Sequence, residues 1–437
     1  MIRLALICAT IFGLTGAARA AVDIEEVTSP GGITAWLVNE PSIPFVALEI
    51  RFRGGTSLDA PDKRGAVNLM TGLLEEGAGD LSARDFAARR EELAASLRYE
   101  AYDDAISISA RFLTETTDEA VDLLRLSLSE PSFVEAAIER VRAQVLSGLE
   151  SDAKDPDEIA ANTFDLLAFG DHPYGSNPSG TMESVTALTR DDLVEAHGRV
   201  IARDRIYVAA VGDISAEELG RILDSLSAVL PAEGAAFPEQ VEFGLTGGVT
   251  VVPYDTPQSV VVFGQDGISR SDPDFFQAYL MMQVLGGGGY KSRLMEEVRV
   301  KRGLTYGIAA YLAPKDFANQ LRGGVSTENA RVAETIEVIK AEWQRLADEG
   351  LSEAELERVK TFLTGAYPLR FDGNARIASI LVGMQMEDLG IDYVNTRNDK
   401  VEAVTMEQID AIISRMIDPE GLHFVVVGQP EGVQASN

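Results

Sequence analysis

The sequence predicts an α+β protein built as a tandem duplication of two homologous α/β units, each a mostly antiparallel sheet with helices packed on one face. Three internal matches carry that expectation. Gly31-Gly-Ile-Thr34 with Pro41 recurs as Gly247-Gly-Val-Thr250 with Pro257, 216 residues on in both places. Residues 189–213, a helix-like segment feeding an apolar run, align without a gap on residues 405–429, again 216 residues on. Between them, Glu135-Ala-Ala-Ile-Glu-Arg-Val141 returns as Glu353-Ala-Glu-Leu-Glu-Arg-Val359, 218 residues on. Ordered matches at nearly constant spacing mark a repeat. Residues 21–230 and 247–437 are then the two units, and 231–246, with Pro231, Gly234, Pro238 and Gly244, is the linker.

The chain opens with Arg3, an apolar run over 4–14, and Ala18-Arg-Ala20. A charged start, a short apolar core and an A-x-A site predict a cleaved signal peptide over 1–20, and with it a periplasmic location. The apolar run is too short to span a bilayer, and no later stretch is long enough, so membrane insertion is not expected. Cys8 is the only cysteine and lies in the signal. A mature chain without a thiol excludes thiol catalysis. The formal net charge of −31 sets up a field that repels phosphate, so nucleic acid and anionic membranes are poor partners.

In the first unit, 45–52 alternates Val46, Leu48, Ile50 and Phe52 against Ala47, Glu49 and Arg51, and 105–112 alternates in the same way. Period two with one polar side predicts half-buried strands. Helices are expected over 82–97, 117–128, 133–150, 330–349 and 352–364. Thr116 or Thr117 and Ser352, each followed by acids, supply N-caps and first-turn charges. The glycine run 286–289 lacks the Lys-Ser/Thr ending of a phosphate-binding loop.

The chemistry is sparse. His172, His197 and His423 are the only histidines, and no two have the spacing that places a ligand pair on one helix face. His172 reads as a turn residue, and the other two as packed or surface residues. No Gly-x-Ser-x-Gly elbow is present. What stands out is the octapeptide Arg299-Val-Lys-Arg-Gly-Leu-Thr-Tyr306, which sets a guanidinium and a phenol seven residues apart across a helix-to-strand turn. Seven residues is two helical turns, so the pair shares one side of the corner if the helix runs far enough. An Arg forking onto carbonyls and a Tyr hydroxyl donating to an oxyanion suit a grip on a peptide bond.

Several stretches together resemble one family: Asn39-Glu-Pro41, Arg53-Gly-Gly-Thr-Ser57, Asp171-His-Pro-Tyr-Gly175, Val211-Gly212, Ser292-Arg-Leu-Met295 and the octapeptide. The chain is similar to the pitrilysin and mitochondrial-processing-peptidase family of inverted zincins, in particular to small two-domain secreted members that work as pairs of unlike subunits, closing like a clam. The family's H-x-x-E-H motif binds zinc through its histidines and activates water through its glutamate. Here Asn68, Thr71 and Gly72 stand at those three positions, and the third ligand falls near Gly148. Glu150 is two residues along a helix, about 200° round it, and cannot substitute. The resemblance therefore implies a subunit with no metal and no cofactor of its own, paired with a homologous chain that carries H-x-x-E-H and zinc. It also implies that Arg299 and Tyr306 act in trans on a peptide substrate. The alternative expectation is a non-enzymatic scaffold or peptide-holding protein that has kept the peptidase fold.

Overall fold

Two sheets, one from each half, organise the chain in this computed structural model, which describes residues 22–287 and 289–436. The predicted signal peptide, with Cys8, lies outside the described residues. The first half runs β1 (Glu25–Thr28), β2 (Thr34–Asn39), β3 (Phe45–Arg53), α1 (Ala66–Thr71), the short pair β4 (Gly77–Ala78) and β5 (Leu81–Ser82), α2 (Ala83–Glu92), β6 (Ser96–Ala101) and β7 (Ala105–Leu113). It continues through α3 (Thr117–Ser129), α4 (Glu135–Asp152), α5 (Pro156–Phe169), α6 (Met182–Ala187), α7 (Arg190–Val200), β8 (Ile206–Gly212) and α8 (Ala216–Ser227). The second half repeats this plan with β9 (Gly248–Pro253), β10 (Gln258–Asp266), α9 (Phe275–Met282), β11 (Ile308–Leu312), β12 (Gln320–Glu328), α10 (Val332–Glu349), α11 (Glu353–Ala366), α12 (Asn374–Met386), α13 (Tyr393–Glu402), α14 (Met406–Met416) and β13 (His423–Gly428).

The strand orders are β1-β2-β8-β3-β7-β6 and β11-β12-β10-β13-β9. All the neighbours are antiparallel except β2 with β8 and β9 with β13, and these two parallel pairs are equivalent in the duplication. Each sheet packs one face on its own helices, burying Leu48, Ile50 and Phe52 in the first half and Phe263, Trp343 and Phe424 in the second. Residues 231–246 form no regular structure yet are bound along their length. Ala235 N–H donates to the Arg199 carbonyl and Val241 N–H to that of Phe317, each at 2.9 Å, and Gly244 N–H to that of Ala168 at 2.8 Å.

The opposite face of each sheet takes a helix from the other half. α5 lays Ala160, Phe164 and Ala168 on Val260, Val262, Val425 and Val427 of the second sheet. α12 lays Ala378, Leu381 and Val382 on Trp36, Ala47, Ala209 and Val211 of the first. Polar contacts pin both crossings: Arg322 to Asp165 at 2.5 Å, and Gln385 Nε2 to the Val208 carbonyl at 2.8 Å. Strand 45–53 is consequently covered on both sides rather than half-buried. Ala47 and Glu49 are only 1% and 5% exposed. Ser109 donates to the Glu49 carboxylate at 2.9 Å, and burial raises that carboxyl above its usual range.

Two local expectations also change. The helix expected over 82–97 stops at Glu92, because Ala94 adopts φ 48° and Ser96 begins a strand that buries Leu97. Thr116 does not cap α3 with its side chain, and its hydroxyl donates instead to the Leu93 carbonyl at 3.1 Å. Ser352 caps α11 as expected, in a reciprocal box with Glu355.

Candidate functional site

After α9 the second half departs from ordinary helix. Gln283–Gly287 and Met295–Val300 are π-helical, a wide turn that is rare and recurs at functional sites. Gly286 explains part of the glycine run: a Cβ there would stand 2.6 Å from the Ala310 nitrogen and 2.7 Å from its Cβ. Gly286 is a packing device that lets this backbone lie against β11.

Arg299 sits half-buried on the second π-helical segment. That segment is closed by Gly303 at φ 61°, with Gly303 N–H donating to the Arg299 carbonyl at 2.8 Å and Leu304 N–H to the Val298 carbonyl at 3.0 Å. The first is the 5→1 bond of an αL ending, and the second reaches one residue further back than a Schellman bond does. Helical spacing therefore does not relate Arg299 to Tyr306: the helix ends between them, and they flank a turn. The turn itself is tied down. Thr327 Oγ1 donates to the Leu304 carbonyl at 2.6 Å, and Thr305 Oγ1 to the Ser326 carbonyl at 2.7 Å. Gly307 N–H in turn donates to Thr305 Oγ1 at 3.2 Å. Tyr306 rides on this fixed backbone with 87% of its surface exposed, immediately before the edge strand β11. The neighbouring cations are committed elsewhere, since Lys301 and Arg302 both pair with Glu297, at 2.6 and 2.7 Å.

The equivalent helix of the first half, α1, is a capped structural element. Gly65 enters it at φ 88°, and Asp59 accepts from the N–H groups of Gly65 and Val67, each at 2.8 Å. Burial pushes the Asp59 carboxyl up to about 6, against the pull of Arg64 at 3.4 Å. Thr71 is buried and returns its hydroxyl to the Val67 carbonyl at 2.7 Å. Gly72 ends the helix, and a Cβ there would meet Val141 of α4 at 3.1 Å. On α4, Gly148 faces open space and Glu150 pairs with Lys154 at 2.7 Å. An amide, a hydroxyl bonded to its own helix and a glycine do not fit zinc. No group of three or more His, Cys, Asp or Glu that could hold a metal occurs among the described residues.

The histidines bind backbone. His172 Nδ1 accepts from Tyr174 N–H at 3.2 Å, His197 Nε2 lies 2.9 Å from the Leu128 carbonyl, and His423 Nδ1 meets the Gly247 carbonyl. A cleft between the halves, lined by Arg51, Arg270, Tyr393 and Arg397 among others, went unnoticed in the sequence. Its residues come from separate elements and share no motif.

Residues 34–180 match the family model described as insulinase (peptidase family M16), and residues 187–363 the one described as the peptidase M16 inactive domain. The chain belongs to the M16 peptidase family. Within M16 it is an inactive homologue, with neither a histidine ligand nor the glutamate base at the three motif positions. It is similar to the "non-peptidase homolog YmxG" of Helicobacter pylori, 28% identical over 88% of this chain and 89% of that one. It is also similar to the probable mitochondrial-processing peptidase subunit beta of Schizosaccharomyces pombe, 22% identical over 94% and 92% of the two chains. Among solved M16 structures, the peptidase M16 inactive domain from Pseudomonas fluorescens superposes with a TM-score of 0.87 at 26% identity, covering 95% of this chain and all of that one. No helix among the described residues is long and apolar enough to cross a membrane.

Proposed function

We propose that this M16 chain is the non-zinc subunit of a periplasmic heterodimeric zinc metallopeptidase. A separate homologous chain would hold H-x-x-E-H and the metal. Arg299 and Tyr306 would serve that site in trans. The supporting observation is Tyr306 itself: a ring held on a pinned backbone with 87% of its surface exposed buries almost nothing of its own. Such a residue adds little to stability and is available to a partner molecule. Its hydroxyl suits donation to the oxyanion that develops at a scissile carbonyl, and the Arg299 guanidinium suits the neighbouring carbonyls. Among the described residues β11 pairs only with β12, so its outer edge offers a peptide substrate the chance to add as a strand.

The test is Tyr306→Phe in the reconstituted pair. Removing one oxyanion donor typically costs about 2.7 to 4 kcal/mol in the barrier, so turnover should fall about a hundredfold or more with zinc content unchanged. Normal turnover in that variant removes the catalytic role. Hydrolysis by this chain alone, stripped of metal and repurified, overturns the division of labour. The Helicobacter relative's description as a non-peptidase homologue favours a second reading, a peptide-holding scaffold. Purifying the chain from its own cell and finding no H-x-x-E-H partner bound would select that reading.

A further inference from the structure

The two halves enclose a cleft of about 970 Å³, at the upper end of the roughly 300–1,000 Å³ typical of small-ligand sites. Part of its lining is cationic and aromatic. The Arg270 guanidinium lies 4.3 Å from the ring centre of Phe275 and 5.8 Å from that of Tyr393, and donates to the Tyr393 hydroxyl at 3.0 Å. Arg397 stacks 4.7 Å over Tyr367 but is buried, its guanidinium donating to the Leu363 carbonyl at 3.0 Å and to Asn398 Oδ1 at 3.1 Å, whereas Arg370 stands exposed on the turn that ends α11. Arg51 reaches in from β3 to Ser379 at 3.2 Å, past Gly383, where a Cβ would come within 3.4 Å of its guanidinium. None of these four guanidinium groups forms an ion pair within 4.0 Å among the described residues.

The same lining carries carboxylates. Asp103 and Asp104 come from the turn between β6 and β7, Asp316 from the equivalent turn of the second half, and Glu387 and Asp388 from the end of α12. Lys315 pairs with Asp103, and Arg53 with Asp316 at 3.2 Å. Asp104 accepts from the Tyr174 hydroxyl, and Glu387 and Asp388 have no ion pair among the described residues. Guanidinium groups and carboxylates without ion pairs thus line one cavity together.

We propose that this cleft binds a short zwitterionic peptide with an aromatic side chain, its carboxylate on Arg270 and Arg370 and its ammonium on Asp104, Glu387 and Asp388. Guanidinium forks match a carboxylate in geometry, and the flanking rings offer faces for an aromatic group. A ligand with no net charge also avoids the repulsion that a chain of net charge −31 exerts on anions. A polyanion meets both that field and the carboxylates of the cleft. Neither Arg299 nor Tyr306 lines the cleft, so the assignment stands apart from the trans-acting role.

Calorimetric titration of the isolated mature chain tests it, with alanyl-phenylalanyl-alanine, its C-terminal amide, its N-acetyl form and inorganic phosphate as probes. The free tripeptide should bind at one site, with the amide and the N-acetyl form each about tenfold weaker. Arg370→Ala should weaken the free tripeptide about tenfold and leave the amide unchanged; Glu387→Gln should act in the same way on the amine end. Both side chains are exposed, so melting temperatures should match the wild type. Equal binding of the three peptide forms, no saturable heat at about 10 mM, or indifference to both substitutions overturns the proposal. Phosphate binding as tightly as the tripeptide also overturns it, by making the cleft a plain anion site.

Discussion

The two halves share a strand plan and even a parallel pair at the same place, yet they diverge at one helix. In the first half, α1 is short, sealed at its start by Asp59 and turned inward through Thr71. Its counterpart in the second half loosens into π-helical turns, gives up side chains at Gly286 and Gly287, and ends on a pinned corner that holds Tyr306 out. This divergence lies where chemistry could sit. Helix exchange explains why the remainder is preserved: α5 and α12 each complete the other half's sheet, so neither half can change its sheet face without exposing its partner's core.

The largest effect that probes this comparison is at the exchange. Phe164→Ala removes a fully buried ring from α5 and should destabilise by about 3–5 kcal/mol, and Leu381→Ala on α12 by about 2–5 kcal/mol. The chain has two tryptophans, Trp36 on β2 of the first half and Trp343 on α10 of the second. Single-tryptophan versions should report coincident unfolding of both halves in either variant. Separate transitions would break the coupling.

Gly286→Ala sharpens the contrast between the two helices. The added methyl has only the Ala310 backbone to move into, so a loss of about 1–3 kcal/mol is expected, with β11 and the Tyr306 corner displaced. A denaturation midpoint unchanged from wild type would show that Gly286 has no packing role.

A smaller, pH-dependent effect belongs to the contact between the halves. Burial raises the Asp104 carboxyl from 3.8 to about 6. The folded state therefore holds this proton better than the unfolded chain does. The associated stability is present below about pH 4 and is lost as pH rises through about 6. Asp104→Asn removes that dependence. The melting temperature of the wild type relative to the variant should rise as pH falls from about 7 to about 4, and a flat difference would contradict the burial.

The smallest effect is at the emptied motif. Asn68→Ala should change stability by no more than about 0.5 kcal/mol and leave the activity of the reconstituted pair intact, because this half-buried position carries no chemistry. A tenfold loss of turnover would restore a catalytic role to the first half.

The sequence by itself determined the duplication, the antiparallel-rich sheets and the loss of the zinc motif. These depend on repeats, period-two alternation and the identity of three residues, all of which are local or register-based signals. The position of Arg299 and Tyr306 was legible only as a pair of residue types. Their relation through a π-helical ending, Gly303 and a pinned turn depends on hydrogen bonds to β12 that no spacing rule encodes. The tertiary structure alone decided that Glu49 is buried, that α5 and α12 change places, and that Arg51, Arg270 and Arg397 converge on one cleft. Helical periodicity shows that a helix has an apolar face. Which sheet that face meets is settled only when both halves pack together.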